Sequence, residues 1–468
     1  MSGRILYSTG KPFWFDETFT GVIASQPTLS GLFGWCRAEL TGPAFYAPMW
    51  LWAKLAGSSD FALRLPSLFL SIVTPLAVLW WGNRDAALRW WWAVFILLWG
   101  PVFTVAGEAR AYAEIFALGT AQTVLFMRLV AQPTIARASA WIVVFSLVVL
   151  CNYWGAIPAL VQGVAFLVVH RLRAVRTWPA FLLLAPLFAW AAYHLPFVLA
   201  FTQGSSKGID GLPLSAVLEI PAFLLGIKLN AVLILAVVAG SSLVRLKHER
   251  WRPSLPGSPE AIAVLCGLTS IMAILIIAFV RPGFAPRYLT AVIPSFLLGL
   301  ALWARWMAPR QAKAVILVTA LMFATAAGIL GGILRDPESD PRHNFELERA
   351  SAWLGERAPG HLVMLWDNPI GERSDAARLA EVGGFFLRRA GHPVSVDVAR
   401  AATAVDPNRV VLALTDARRK SAILWFANEA VPNSRRPRIE RHDARYECRD
   451  FGRGEVNMTA CRWRQPSQ

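Results

Sequence analysis

Apolar runs about 20 residues long, enough to cross a bilayer's hydrocarbon core as helices, recur over residues 1–335. Short connections rich in Arg, Trp, Gly and Pro separate them. Ten spans are predicted, near 62–82, 91–106, 112–130, 138–152, 155–170, 178–201, 223–244, 261–280, 287–305 and 313–334. Two earlier stretches, 18–34 and 43–57, are shorter or broken and carry Trp35, Trp50 and Trp52, which suits helices lying in the membrane interface. Residues 1–61 then form a first outer loop ahead of the spans.

The pattern changes after residue 335, where Arg335-Asp336-Pro337-Glu338-Ser339-Asp340-Pro341 is polar and breaks the last helix. Residues 345–357 read as a helix. Leu362–Trp366, Val394–Val398 and Val410–Leu414 read as strands with helical stretches between them. The chain is therefore expected to be a polytopic α-helical membrane domain over 1–335 followed by a small α/β domain over 336–468.

Composition agrees: of 468 residues 56% are hydrophobic, 21 are Trp, and the mean hydropathy is +0.46. The net charge of +16 would suggest nucleic acid in a soluble domain, but here much of it lies in short connections. One alternating set of connections carries 14 basic residues, from Arg84 and Arg89 through Arg305, Arg310 and Lys313. The other set carries four, namely Arg110, Lys207, Arg281 and Arg287. The positive-inside bias assigns the first set to the cytoplasm and leaves residues 1–61 and 336–468 outside it. Membrane topology thus accounts for the charge, and nucleic acid is not an expected partner. To carry the first outer loop across, this orientation asks either for a further span preceding the sequence given, which is the favoured expectation, or for the N-terminus to cross as a passenger of the 62–82 span. No internal repeat is visible.

The five cysteines form no CxxC or Cys/His cluster, so no zinc site is expected. Cys448 and Cys461 flank a Gly452-Arg453-Gly454 turn; they either bridge a hairpin in an oxidising compartment or remain two thiols.

Candidate chemistry collects on the sparsely basic side. Asp16 and Glu17, in Phe13-Trp14-Phe15-Asp16-Glu17, put two acids at a bilayer-edge segment. Such acids are costly there unless they cap a helix, act chemically, or do both. Glu108 and Arg110 precede Tyr112 at an outer span end, where an Arg either meets an anion as a planar fork or fixes helix ends by pairing with Glu108. Arg281, Arg287 and Tyr288 share a Pro/Gly loop, and two Arg on the disfavoured side favour anion binding over snorkelling. Lys207 sits in an outer loop that reads as solvated or as a lid. Arg64 enters a span and is expected to pair with an acid near Asp16. His194, beside Pro196 on a span, reads as a buried, hydrogen-bonded histidine rather than a ligand.

Taken together, these phrases resemble the polyprenyl-phosphate-dependent membrane glycosyltransferases of the GT-C class. The look is that of the protein-mannosyltransferase and aminoarabinose-transferase superfamily. The matching pieces are Phe13–Glu17, Asp60–Ser67, Glu108–Tyr112 and Pro286–Tyr288, in family order. The resemblance implies a sugar donor on polyprenyl phosphate and a hydroxyl acceptor on a lipid, glycan or protein. It further implies Asp16 as general base, with Arg110 and Arg287 facing the lipid phosphate, at the outer face of a bacterial inner membrane. A divalent cation beside Asp16 and Glu17 is compatible with that chemistry, though no ligand cluster requires one. Two departures stand out. Many relatives carry His-Pro-Pro in the second part of the first outer loop, where this chain reads Leu40-Thr41-Gly42-Pro43-Ala44-Phe45-Tyr46 with no His, and a frequent His-Tyr is here Asn152-Tyr153. Two rivals remain from other classes. A flippase or transporter of lipid-linked sugars would use the same basic mouth without a base, and broken helices with a repeat would favour it. A non-catalytic scaffold would simply present the α/β domain.

Overall fold

The computed structural model describes residues 11–205, 214–249, 257–280, 284–335, 345–367, 375–400, 407–416, 418–428, 436, 438–453 and 456–464. The chain forms two compact units. One contains Leu32–Val198 and Ile209–Pro337, and the other contains Lys11–Gly31 and Glu338–Gln468.

The first unit is helical. Among the described residues six helical runs are long and apolar enough to cross a membrane: Asp60–Trp81, Tyr112–Ala131, Tyr153–Ala200, Lys228–Lys247, Pro259–Phe279 and Ile293–Gly332. Ala86–Leu98 and Ile135–Cys151 are shorter apolar helices. Two of the six runs each cover two of the predicted segments. Tyr153–Ala200 runs on through a 3₁₀ stretch over Arg171–Leu184. Ile293–Arg335 continues through a kink at Gln311, beside Pro309, where φ is −134°. Together with the apolar composition, these helices make the chain an integral membrane protein.

Polar caps explain where several helices begin. The Ser59 side chain accepts from the Ala62 N–H at 3.2 Å, Asp85 from Leu88 at 3.1 Å and Thr134 from Arg137 at 3.3 Å. Inside the bundle, several polar side chains bond to one another across helices, which an apolar surround favours. Gln122 and Trp141 both donate to Gln162 Oε1 at 2.9 Å, and the Trp92 indole donates to the Pro294 carbonyl at 3.0 Å.

The basic connections meet at one end of this unit. Arg128 donates to the Trp81 carbonyl at 2.7 Å and Arg137 to the Arg128 carbonyl at 3.0 Å. Arg305 pairs with Asp85 at 2.5 Å, Asn83 donates to Glu260 at 2.6 Å, and His170 bonds the Val130 carbonyl at 2.9 Å.

The second unit holds a five-stranded sheet in the order β2-β1-β3-β5-β4. Its strands are β1 (His361–Asp367), β2 (Ser395–Arg400), β3 (Ala422–Asn428), β4 (Tyr446–Arg453) and β5 (Val456–Trp463). β1 pairs in parallel with both β2 and β3, and β5 runs antiparallel to β3 and β4. The β4–β5 hairpin sets Cys448 opposite Cys461, and a disulfide joins them across a Cα separation of 4.1 Å.

One expected strand is a helix instead. Val410–Leu414 closes the helix Pro407–Leu414, and the third strand is Ala422–Asn428. A five-residue apolar run carries no period that separates the two states, and Pro407 at the first turn suits a helix start.

Candidate active site

In the first unit, at the end opposite the basic connections, four sequence pieces converge. The helix Tyr112–Ala131 opens with Tyr112, which is 7% exposed. The Arg287 guanidinium lies over the Tyr112 ring at 5.8 Å. Arg287 belongs to the one-turn helix Pro286–Leu289, whose Thr290 hydroxyl donates back to the Arg287 carbonyl at 2.6 Å. The next residue, Tyr288, stacks on Trp154 at 5.3 Å and 11°. Asn152 caps that corner by accepting from the Trp154 N–H at 3.0 Å. Asn152 also forms an isolated antiparallel bridge with Thr41. This bridge ties the segment before the helix Pro43–Ala56 to the end of the helix Ile135–Cys151. Glu108 and Arg110 are half-buried just ahead of Tyr112.

Close backbone approach fixes the turn against the helix. A Cβ at Gly119 would stand 2.6 Å from the Ala291 carbonyl oxygen, so the two chains meet where only glycine fits. One turn further, Thr123 and Ser295 hydroxyls bond at 2.9 Å. Between Asp60–Trp81 and Tyr112–Ala131 lies a groove of about 580 Å³. Leu70, Val73, Ala117, Ala121 and Val124 line its length, with Glu114 and Arg128 also among its walls. Neither the groove nor Glu114 is evident in the sequence, because Glu114 looks like an ordinary first-turn acid.

His194 is fully buried, as its sequence context suggests, and its Nδ1 bonds the Tyr153 hydroxyl at 2.5 Å. Arg64 is buried at 3% exposure within Asp60–Trp81. Lys207 and Arg281 lie outside the described residues.

In the second unit, Asp16 and Glu17 occupy the first turn of the helix Phe15–Ala24. Glu17 is fully buried and accepts from the Trp14 backbone N–H at 3.3 Å, the acidic half of a capping box. Asp16 is half-buried. Phe15 stacks on Phe426 at 4.5 Å and on Trp366 at 6.0 Å, while Trp366 and Phe426 lie parallel at 4.6 Å and 1°. Phe13 faces Phe385 at 6.4 Å, and Gln26 donates to Glu381 at 2.9 Å. The sequence offers no sign of these partners. The carboxylate-bearing helix, read from sequence as part of the first outer loop, thus packs on the C-terminal sheet.

Two other groups do not make sites. His361 bonds the Ser421 hydroxyl at 2.8 Å and Asp397 at 3.1 Å, but Ser421 is fully buried and accepts from the Asp416 N–H at 2.6 Å. That arrangement pins the sheet's edge and exposes no nucleophile. Among the described residues, one acid–cysteine group is close enough to share an ion, Glu440 with Cys448 and Cys461, and its two sulfurs are spent in the disulfide. Cys36 is buried, and burial pushes its thiol up to about 12.

No family model and no curated protein sequence matches this chain. Solved structures do share its fold. ArnT from Cupriavidus metallidurans in the apo state superposes with a TM-score of 0.56 at 12% identity, covering 98% of this chain and 96% of that one. The same protein bound to undecaprenyl phosphate superposes with the same TM-score at 14% identity and the same coverage. The likeness is one of fold, a helical membrane domain followed by a small sheet domain, over nearly the whole of both chains.

Proposed function

We propose that this protein is a GT-C-type glycosyltransferase that moves a sugar from a polyprenyl-phosphate donor to a hydroxyl acceptor at the outer face of a bacterial inner membrane. The observation that carries the reading is the meeting of Tyr112 and Arg287, two family-motif residues far apart in sequence, on a fold shared with ArnT. That ArnT has been solved with undecaprenyl phosphate bound supports a lipid phosphate as the donor's anchor.

The residues divide the work as follows. Asp16 takes the acceptor's hydroxyl proton as the oxygen attacks the anomeric carbon. The bond from that carbon to the phosphate oxygen breaks, and polyprenyl phosphate leaves with the electron pair. Attack opposite the leaving group inverts the anomer. Arg110 and Arg287 stabilise the charge growing on the phosphate, and Tyr112 holds the Arg287 plane in place. The groove of about 580 Å³ beside Tyr112–Ala131 is apolar enough to bed the isoprenoid chain. Lys207 and Arg281 are further candidates for contact with the phosphate, and Arg64, Glu108 and Tyr288 for shaping its surroundings. The Cys448–Cys461 disulfide and the uneven basic connections both support an extracytoplasmic C-terminal domain.

The test is turnover by the purified protein with polyprenyl-phosphate sugars and a panel of hydroxyl acceptors. Mass spectrometry should find free polyprenyl phosphate together with the glycosylated acceptor. Movement of intact donor between leaflets of a vesicle, with no lipid phosphate released, would instead identify a flippase.

A further inference from the structure

The helix Phe15–Ala24 has ten residues, too few to persist alone in water. Its hold comes from the C-terminal sheet of the same compact unit. β1 and β3 are parallel neighbours in the order β2-β1-β3, and Trp366 and Phe426 are register partners near their carboxyl ends. Their rings lie face to face at 4.6 Å, and Phe15 stacks against Phe426 at 4.5 Å, adding a third ring. Trp366 is 4% exposed and Phe426 1%, so this is a packed seat rather than an open platform. The next residue along the chain is Asp16. Glu17 then locks the turn by accepting from the Trp14 N–H, and the Thr18 hydroxyl donates to the Trp14 carbonyl at 3.3 Å. On the same helix, a Cβ at Gly21 would stand 2.6 Å from the Phe385 ring, so the approach is close along its length. The connection from β1 returns to β2 on one side, while β3 lies on the other. The seat therefore occupies the place where crossovers diverge, which is where open α/β sheets present functional groups.

We infer that Trp366 and Phe426 of the C-terminal domain are positioning residues that hold the Asp16 backbone in its productive place through Phe15. The domain then serves the transfer step itself. This rests on the reading of Asp16 as general base. A base must stand within hydrogen-bond reach of the proton it removes, and a misplacement of about 1 Å costs roughly 10²-fold in rate.

The experiment is a double-mutant cycle on the full chain, read as kcat and KM for transfer from a polyprenyl-phosphate sugar. Phe15→Leu keeps an apolar side chain on a half-buried residue and spares the sheet's interior; Trp366→Leu removes the ring from the seat; Trp366→Phe restores one. Phe15→Leu and Trp366→Leu should each lower kcat at least tenfold with KM changed less than twofold, and Trp366→Phe should recover most of the loss. In an Asp16→Asn background the same substitutions should leave the residual rate unchanged, because the group they position is gone. Equal fold losses in both backgrounds would overturn the inference, as would full kcat for Phe15→Leu and Trp366→Leu while Asp16→Asn is inactive. Full turnover by Asp16→Asn itself would remove the base assignment and the positioning role with it. Should Trp366→Leu fail to reach the membrane folded, Phe15→Leu alone decides.

Discussion

Asp16 and Glu17 are adjacent acids in different surroundings. The Glu17 carboxylate is fully buried and spent on the Trp14 N–H, whereas Asp16 is half-buried in the same turn. Glu17→Gln keeps an oxygen that can accept that hydrogen bond, so its turnover should stay within a few-fold of the parent, while Glu17→Ala should cost about 0.5–2 kcal/mol of stability. Asp16→Asn should instead lose on the order of 10²–10⁴ in rate in a protein that still folds. Parallel thermal melts and turnover assays separate the two, and equal rate losses at both positions would show that the pair acts as a unit. The arginines bear on the same chemistry. Arg287 lies with its guanidinium over the Tyr112 ring, and lysine would keep the charge but lose the planar fork. Arg287→Lys and Arg110→Lys should each lower kcat/KM tenfold or more, about 1.4 kcal/mol of transition-state stabilisation. Near-silent substitutions at both sites would mark them as head-group anchors.

At the scale of elements, the helix Tyr112–Ala131 links the proposed phosphate end to the apolar groove. Gly119 lets the turn that carries Arg287 approach, and the atom an added Cβ would strike is backbone, which cannot rotate away. Gly119→Ala should therefore destabilise by about 1–3 kcal/mol and also lower turnover as the Arg287 turn is pushed off the helix. Ala121 lines the groove, so Ala121→Trp should fill part of the isoprenoid bed. Losing contact with two methylenes at about 0.8 kcal/mol each gives a roughly tenfold higher KM for a long-chain donor. A donor of one or two isoprene units should be unaffected, and kinetics with the two donors read the difference directly. Most helices of the first unit are legible in the chain because a lipid-spanning run must be long and apolar. The groove between two of them is not legible, since each helix alone shows only apolar surface. Val410–Leu414 shows the same limit in reverse: a short apolar run suits a strand or a helix, and its neighbours choose.

For the molecule as a whole, orientation is the central question. His170, Asn83, Arg128, Arg137, Arg305 and Glu260 link alternate connections at one end of the first unit, as a simple back-and-forth path requires. With the basic end in the cytoplasm, a cysteine introduced at Ser395 should react with an impermeant maleimide on intact spheroplasts. One at Ala136 should react only after lysis. The background should be low, because Cys36, Cys151 and Cys266 are buried and Cys448 and Cys461 are joined. The opposite labelling pattern would invert the topology and place Asp16 on the wrong side for a lipid-linked donor made accessible outside.

The sequence by itself determined the membrane class, the helical segments, the sign of each connection and the ordered motif pieces, because length, polarity and charge are properties of short stretches read one at a time. The small α/β domain was visible for the same reason, in its alternation of apolar runs and turns. Only the tertiary structure decided that Arg287 meets Tyr112, that Thr41 pairs with Asn152, and that Phe15 sits on Trp366 and Phe426. Each of those contacts joins residues far apart in the chain through rings or single bridges that many other partners could have satisfied. Nothing local marks which partner is used. The choice follows from packing the whole, where close-packed interiors admit few arrangements and a ten-residue helix must take whichever surface completes it.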